Sequence, residues 1–478
     1  MAHKLMIQGT MSSAGKSFIV TGLCRLFSDL GYKVAPFKSQ NMALNSGVTF
    51  DGYEMGRAQI VQAEAARTIP DVRMNPVLLK PNSDIGSQVI VMGIPVGNMN
   101  AREYYEYKTS LIPVIKDAFK SLEEEYDVII VEGAGSPAEI NLKSNDIVNM
   151  GLAKMLNIPV ILVGDIDLGG VFAQLLGTLE WLDEDEKNII KGMIVNKFRG
   201  DVTLLKPGID MLTERTGKEV IGVVPYCKAK IDEEDSVTVD LEAVCEEIAE
   251  TEKTIYIIRL PYMSNFTDFN PLKLVKGVSV KYIVEVPDDT PDLVIIPGSK
   301  STISDLNWMK NKGFDRYLDS VKETVPIMGI CGGNQILGKS ISDPECIEGI
   351  EFAQGLNLLN QDTFIKEEKT LKEAEGIINV DEGFFTCLNG AHYKGYEIHS
   401  GVTNEAVSSG NVFGTYVHGI FDMAEVTKAL MSGLGLSREK IDSITDYRLK
   451  KDQEYDLAAK VLRESINMKV LKNIMGMN

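Results

Sequence analysis

Soft metal ligands are scarce in this chain: 478 residues contain six cysteines and four histidines. Cys24, Cys227, Cys245, Cys331, Cys346 and Cys387 are scattered, with no C-x-x-C pair, and no H-E-x-x-H occurs. Neither a disulfide framework nor a zinc site is indicated, and a reducing, cytoplasmic setting is the expectation. Positive charge is also short, with 49 Lys and Arg against 68 Asp and Glu and a net charge of −19. That balance argues against nucleic acid or an anionic membrane as a general partner. No apolar run is long enough to span a bilayer, because the stretch 158–182 is broken by Asp165 and Asp167. A first strand beginning by about Lys4 leaves no room for a signal peptide.

Hydrophobic content of 44% and charged content of 24% describe an ordinary globular protein. Its length exceeds what one core supports, so at least two domains are expected. Short apolar, β-branched runs at 5–8, 33–37, 128–131, 160–163, 193–196 and 220–224 alternate with helical patterns. Such near-continuous apolar strands predict a parallel sheet covered on both faces, hence an α/β fold. A stretch rich in Asp and Glu follows, and a second α/β series runs through 254–260, 293–296, 327–330 and 412–417. The predicted organisation is a nucleotide-binding domain over 1–230, an acidic linker over 231–252, a second α/β domain over 253–440 and a helical segment over 441–478. In that last segment Leu457, Val461, Leu462 and Ile466 have helical spacing.

Gly9-Thr10-Met11-Ser12-Ser13-Ala14-Gly15-Lys16-Ser17 follows the first strand and precedes an amphipathic helix that Gly31 ends. Strand, glycine-bracketed loop, Lys-Ser and helix form the context of a phosphate-binding loop, here one residue longer than G-x-x-x-x-G-K-S. Backbone N–H groups from Gly9 through Gly15 would cradle phosphate oxygens at the helix N-terminus. Lys16 would neutralise the outer phosphates of ATP, and the Ser17 hydroxyl would ligate Mg2+. Glu132, ending the strand Asp-Val-Ile-Ile-Val, is the leading carboxylate for the metal, with Asp165 and Asp167 as second candidates. Asn196, at another strand end, is a candidate reader of the adenine edge. Residues 36–47 and 73–88 read as loops with more amide, Lys and Arg groups than turn chemistry needs. Lys38, Gln40 and Asn41 there are candidates for holding a large polar substrate.

In the second series, Pro-Ile-Met-Gly-Ile-Cys331-Gly332-Gly333-Asn-Gln runs an apolar strand into a thiol and two glycines before a helix. This places Cys331 at a sharp strand-to-helix turn, with the new helix N-terminus favouring its thiolate. Gly298, in the Pro297-Gly298-Ser299-Lys300 loop of a neighbouring strand, can aim an N–H at the same point as that of Gly332. Together they are the expected oxyanion hole. His418 lies at another strand end and is the expected base, with His399 its rival. His3 and His392 read as surface or packing residues.

The Cys-Gly-Gly elbow, the Pro-Gly-Ser-Lys loop and the run Tyr-Val-His-Gly-Ile-Phe resemble a class I glutamine amidotransferase domain of the cobyric and cobyrinic acid synthase type. The first half resembles dethiobiotin synthetase-like phosphate-loop ligases, which share the longer loop. Pro-Phe-Lys-Ser-Gln-Asn-Met, Gln59 with its Ala-rich helix, Met-Asn-Pro-Val-Leu-Leu-Lys-Pro and Glu-Gly-Ala-Gly-Ser-Pro-Ala-Glu-Ile-Asn-Leu resemble the cobyric acid synthase family in particular. The resemblance runs from the first strand to about residue 425. It implies an ATP- and glutamine-dependent amidation of the b, d, e and g carboxylates of adenosylcobyrinic acid a,c-diamide, a corrinoid, in cobalamin synthesis. It also implies Cys331 as nucleophile, His418 as base and an acyl-phosphate intermediate. Most class I amidotransferases place a Glu two residues after the histidine to orient it, and here that residue is Ile420. What orients His418 is left open by the sequence. Two other readings fit parts of the pattern: cobyrinic acid a,c-diamide synthesis, and a nucleotide-switch ATPase carrying an inert amidotransferase-like domain.

Overall fold

A computed structural model of the chain describes residues 2–81, 86–232, 251–403 and 408–477. Most of the acidic stretch expected as a linker, residues 233–250, lies outside the described residues. The chain forms two compact units, each assembled from separate pieces of sequence. The first comprises Met1–Met42, Met55–Ile231 and Lys451–Asn478; the second comprises Ala43–Glu54 and Asp232–Lys450.

In the first unit, six parallel strands lie in the order Val220–Pro225, Ile190–Phe198, Val160–Asp165, His3–Gly9, Val128–Glu132, Val34–Phe37. All six were legible as apolar runs. Val128, Ile129, Ile130 and Val131 are fully buried, which is what a central strand covered on both faces requires. The strand His3–Gly9 sits in the middle and pairs Ile7 with Glu132 and Gly9 with Val163. Parallel direction therefore brings the phosphate loop, Glu132 and Asp165 to one edge of the sheet, where ligands of such folds bind. The helix Lys16–Asp29 buries Ile19, Val20, Leu23, Leu26 and Phe27, and Gly31, at φ 88°, turns the chain out of it.

Two expectations change. Residues 36–47 and 73–88, read as loops, contain the strands Gln40–Met42, Ser46–Val48, Val77–Pro81 and Gly86–Val91. Three of these join Ile94–Asn100 in a small four-stranded sheet. Polar residues obscured these strands because their amides are satisfied by neighbours: Asn41 Nδ2 donates to Gln59 Oε1 at 3.0 Å, and Asn75 Nδ2 donates to the Lys38 and Val77 carbonyls. The C-terminal helices Tyr447–Ser465 and Met468–Ile474 form as expected, with Leu462 and Ile466 buried and Val461 packed against the same core, but Leu457 is exposed and Tyr455, Ala458 and Ala459 complete the buried stripe. Residues 451–478 are part of the first unit. Leu462 packs over Gly22, where a Cβ would come within 2.6 Å of its methyl, and buried Arg25 reaches Asp452 and Asp456 at 3.1 and 2.7 Å.

The second unit is built on a sheet ordered Val278–Ile283, Lys253–Ile258, Leu293–Ile296, Ile327–Ile330, Val412–Thr415, Ser408–Ser409, parallel except for the last pair. The strand Ile327–Ile330 is central and fully buried, and it delivers Cys331 to the carboxyl edge. A long antiparallel hairpin, Asp362–Ile377 with His392–Thr403, brings Tyr396 and Ile398 to the same region. The segment Ala43–Glu54 belongs to this unit and folds on itself: Thr49 N donates to the Tyr53 carbonyl at 2.8 Å, and Ser46 Oγ donates to Glu54 Oε1 at 2.9 Å.

Leu462→Ala is expected to lower the stability of the full chain by ~2–5 kcal/mol. Urea unfolding checks this; a loss below about 1 kcal/mol would show that the C-terminal helix is not part of the first core.

Candidate functional sites

The phosphate loop is held open by its own backbone. Ser13 and Gly15 adopt φ 59° and 91°, a left-handed turn that points successive N–H groups to one side. Gly15 is required for a second reason, since a Cβ there would collide with the Asn196 amide. Asn196 Nδ2 donates to the Ala14 carbonyl at 2.9 Å, so this amide props the loop from beneath, in addition to any contact with a base. Lys197 Nζ reaches the Ser13 carbonyl at 2.8 Å and Asp165 Oδ2 at 2.7 Å. Thr10 donates its hydroxyl to Gln174 Oε1 at 3.2 Å. Buried Lys16 bends back to the carbonyls of Met11 and Gly135, both at 3.1 Å, which leaves its ammonium lying across the loop.

The three candidate carboxylates separate clearly. Ser17 Oγ donates to Glu132 Oε1 at 2.9 Å. Asp165 is fully buried and committed to Lys197 and to the Asp167 N–H, and Asp167 pairs with Arg199 at 2.9 Å. Glu132 is 1% exposed, and it also accepts from Lys38 Nζ at 3.1 Å and from Gln62 Nε2. Burial pushes its acidity down, yet the Lys38 charge, with the Lys38 and Gln62 hydrogen bonds, holds its carboxyl below the usual range. The chemistry of this donor set fits magnesium, which takes one or two protein oxygens and completes its shell with phosphate and water. Of the residues expected to hold substrate, Lys38 is thus drawn to Glu132, Asn41 is bound to Gln59, and Gln40 accepts from the Tyr104 hydroxyl.

In the second unit, Cys331 has φ 51° and ψ −107°, outside the ordinary regions for a side chain with a Cβ, a strain worth about 1–3 kcal/mol. Its N–H is fixed to the Thr415 carbonyl at 2.7 Å, and its thiol faces the Ile398 carbonyl at 3.6 Å. Gly333 packs so tightly beneath the elbow that a Cβ would strike the Ile296 carbonyl. The Pro-Gly-Ser-Lys loop closes on the same point: a Cβ on Gly332 would lie 2.8 Å from Ser299 N, and one on Gly298 would lie 3.0 Å from His418 Cε1. The expected thiol, imidazole and glycine loops thus meet.

His418 is 1% exposed and hydrogen-bonds Cys331. His399 is engaged elsewhere, with Nδ1 on the Gly401 carbonyl at 2.7 Å and its ring stacked on Tyr416. Asp268 supplies what the missing Glu does not: its Oδ2 lies 2.7 Å from His418 Nδ1, and its Oδ1 accepts the Gly419 N–H at 3.0 Å. A carboxylate only accepts, so Nδ1 carries the proton and Nε2 is left for the sulfur. Burial would lower the His418 pKa, but the charges of Asp268 and Cys331 and their hydrogen bonds outweigh it and raise it to about 10. The Asp268 carboxylate thus stabilises the positive charge that the imidazole carries once protonated. Asp268 escaped sequence reading because it stands 150 residues before His418, on the short helix Phe266–Phe269, in no recognisable spacing.

The two sites define a glutamine-hydrolysing amido-ligase, with a nucleotide-binding domain and an amidotransferase domain in one chain. Residues 5–239 match the CobQ/CobB/MinD/ParA nucleotide binding domain, and residues 254–409 match the CobB/CobQ-like glutamine amidotransferase domain. The chain is 49% identical to the cobyric acid synthase of Ruminiclostridium cellulolyticum, over 99% of this chain and 97% of that one. It is 48% identical to those of Lachnoclostridium phytofermentans and Caldanaerobacter subterraneus, over 99% of each chain. The chain belongs to the cobyric acid synthase family. Among the described residues no helix is long and apolar enough to cross a membrane.

Asp268→Asn is expected to lower kcat/KM for glutamine hydrolysis by roughly 10²-fold or more. With the carboxylate gone, burial dominates and the His418 pKa falls. The imidazolium, present in the native protein below about 10, is then lost at lower pH, and the alkaline limb of the rate moves down. A pH profile of glutamate release that is unaltered in the variant would remove Asp268 from the site.

Proposed function

We propose that the protein is a cytoplasmic enzyme that amidates the b, d, e and g carboxylates of adenosylcobyrinic acid a,c-diamide, consuming ATP and glutamine. The observation that carries this reading is the coexistence in one chain of a Cys331–His418–Asp268 set and a Lys16–Ser17–Glu132 set. Each set supplies half of the chemistry that joins nitrogen to an unactivated acid.

His418 takes the Cys331 proton, and the thiolate attacks the side-chain amide of glutamine. The N–H groups of Gly298 and Gly332 receive the developing oxyanion, an effect worth roughly 2.7–4 kcal/mol per donor in the barrier. His418 returns its proton to the departing ammonia, and water then releases glutamate from the thioester. In the first unit a substrate carboxylate attacks the γ-phosphate of ATP, releasing ADP and forming an acyl phosphate, and ammonia then displaces inorganic phosphate to give the amide. Lys16 draws charge from the phosphates, while the N–H groups around Gly9, Ser13, Ala14 and Gly15 hold them in line; the Thr10 N–H, expected from the sequence to join them, is instead given to the Val163 carbonyl at 2.9 Å. Ser17 and Glu132 would hold the Mg2+ that offsets repulsion between the two anions. Glu132 is kept ionised by Lys38, and Lys38 would offer its positive charge to an incoming carboxylate.

Cys331→Ala should lose glutamine-dependent amidation yet retain activity with free ammonia, whereas Lys16→Ala should lose both. Mass spectrometry of the corrinoid after incubation with ATP and either nitrogen source reads the outcome directly. Four added amides support the proposed reaction, two on cobyrinic acid indicate a,c-diamide synthesis, and an unchanged acid with uncleaved glutamine overturns an enzymatic reading.

A further inference from the structure

His418 is held at its ring edge by Asp268, and its face is also occupied. Tyr396 stacks on the imidazole with ring centres 5.4 Å apart and planes within 26°. The two residues are tied a second time through the backbone, each N–H donating to the other's carbonyl at 3.1 and 2.8 Å. At its far end the Tyr396 hydroxyl donates to the Ser46 carbonyl at 3.1 Å and accepts from Asn265 Nδ2 at 2.9 Å. Asn265 Oδ1 in turn lies 3.5 Å from Ser46 N, so one side chain bridges Tyr396 and the segment Ala43–Glu54.

That segment is firmly anchored in the second unit. Glu54 is fully buried, accepts from Ser46 Oγ at 2.9 Å and pairs with Lys369 at 3.0 Å. Asn265 stands in the left-handed conformation, φ 53°, immediately before the short helix that presents Asp268. The same turn therefore sets both supports of the imidazole, the carboxylate at its edge and the tyrosine on its face.

We propose that Tyr396 is a positioning residue for His418 and that Ala43–Glu54 is the element that fixes Tyr396, making this segment part of the glutaminase site. Ser46 and Asn265 hold the phenol at its oxygen, so the ring cannot slide, and the imidazole it covers keeps Nε2 on the sulfur. Both ends of the segment continue in sequence into residues of the ligase unit, Gln40-Asn41-Met42 on one side and Met55-Gly56-Arg57 on the other.

The inference rests on the proposed glutaminase role of Cys331 and His418. Its test uses the full chain with Tyr396→Phe, which keeps the stacking ring and removes only the hydroxyl, and with Asn265→Gly, which keeps the left-handed backbone and removes the amide. Glutamate release is measured with ATP and the corrinoid acid present. In both variants kcat for glutamine is expected to fall about two- to tenfold, the effect of one or two lost hydrogen bonds. KM for glutamine and amidation from free ammonia should stay within about twofold of the parent chain. Equal kcat values in parent and Tyr396→Phe overturn the proposal, as does a loss shared by the ammonia reaction, which would mark a general structural role. Failure of the glutaminase reading itself looks different: the parent chain would release no glutamate at all.

Discussion

A carboxylate on an imidazole is the interaction on which the chemistry proposed for the second unit depends. Without Asp268, burial would drive His418 to its neutral form, and nothing would choose which nitrogen keeps the proton. With it, Nδ1 is fixed as the donor and Nε2 meets the thiol. Family likeness alone would have left this open, because Ile420 occupies the place where related enzymes carry their orienting acid. The same role is filled from another element, so the requirement is physical and its sequence position is free.

The first unit solves a related problem with opposite charge. Glu132 is buried and must remain an anion, so Lys38 and Gln62 surround it and Ser17 shares its oxygen. Asn196 and Lys197 are used on the loop backbone, where they keep the phosphate cradle shaped before any ligand arrives. Preorganisation of this kind explains why so many polar side chains at the sheet edge are buried and paired.

What could be read in the sequence had a short-range signature. Parallel strands announced themselves as unbroken apolar runs, the phosphate loop by glycine spacing before Lys16, and Cys331 by the strand-to-glycine turn that forces its backbone to φ 51°. Residues whose role comes from long-range closure were invisible. Asp268 and Tyr396 lie far along the chain from the thiol, and nothing local distinguishes them from core and surface neighbours. The amide-rich stretches were misread as loops because their polar side chains satisfy one another in a small sheet, a pairing that no single segment reveals. The C-terminal helix kept its expected type and buried Leu462 and Ile466, and Leu457 alone of the expected stripe faces outward, since Ala458 and Ala459 make the close approach beside it.

The interleaved path of the backbone bears on how such an enzyme can evolve. The two units alternate along the sequence, changing over at 42/43, 54/55, 231/232 and 450/451. Splitting the gene at the acidic stretch would give one polypeptide without its closing helix and another missing the dozen residues beneath Tyr396. Fission into independent subunits is therefore penalised at two places at once, and the fused arrangement is retained by its own wiring.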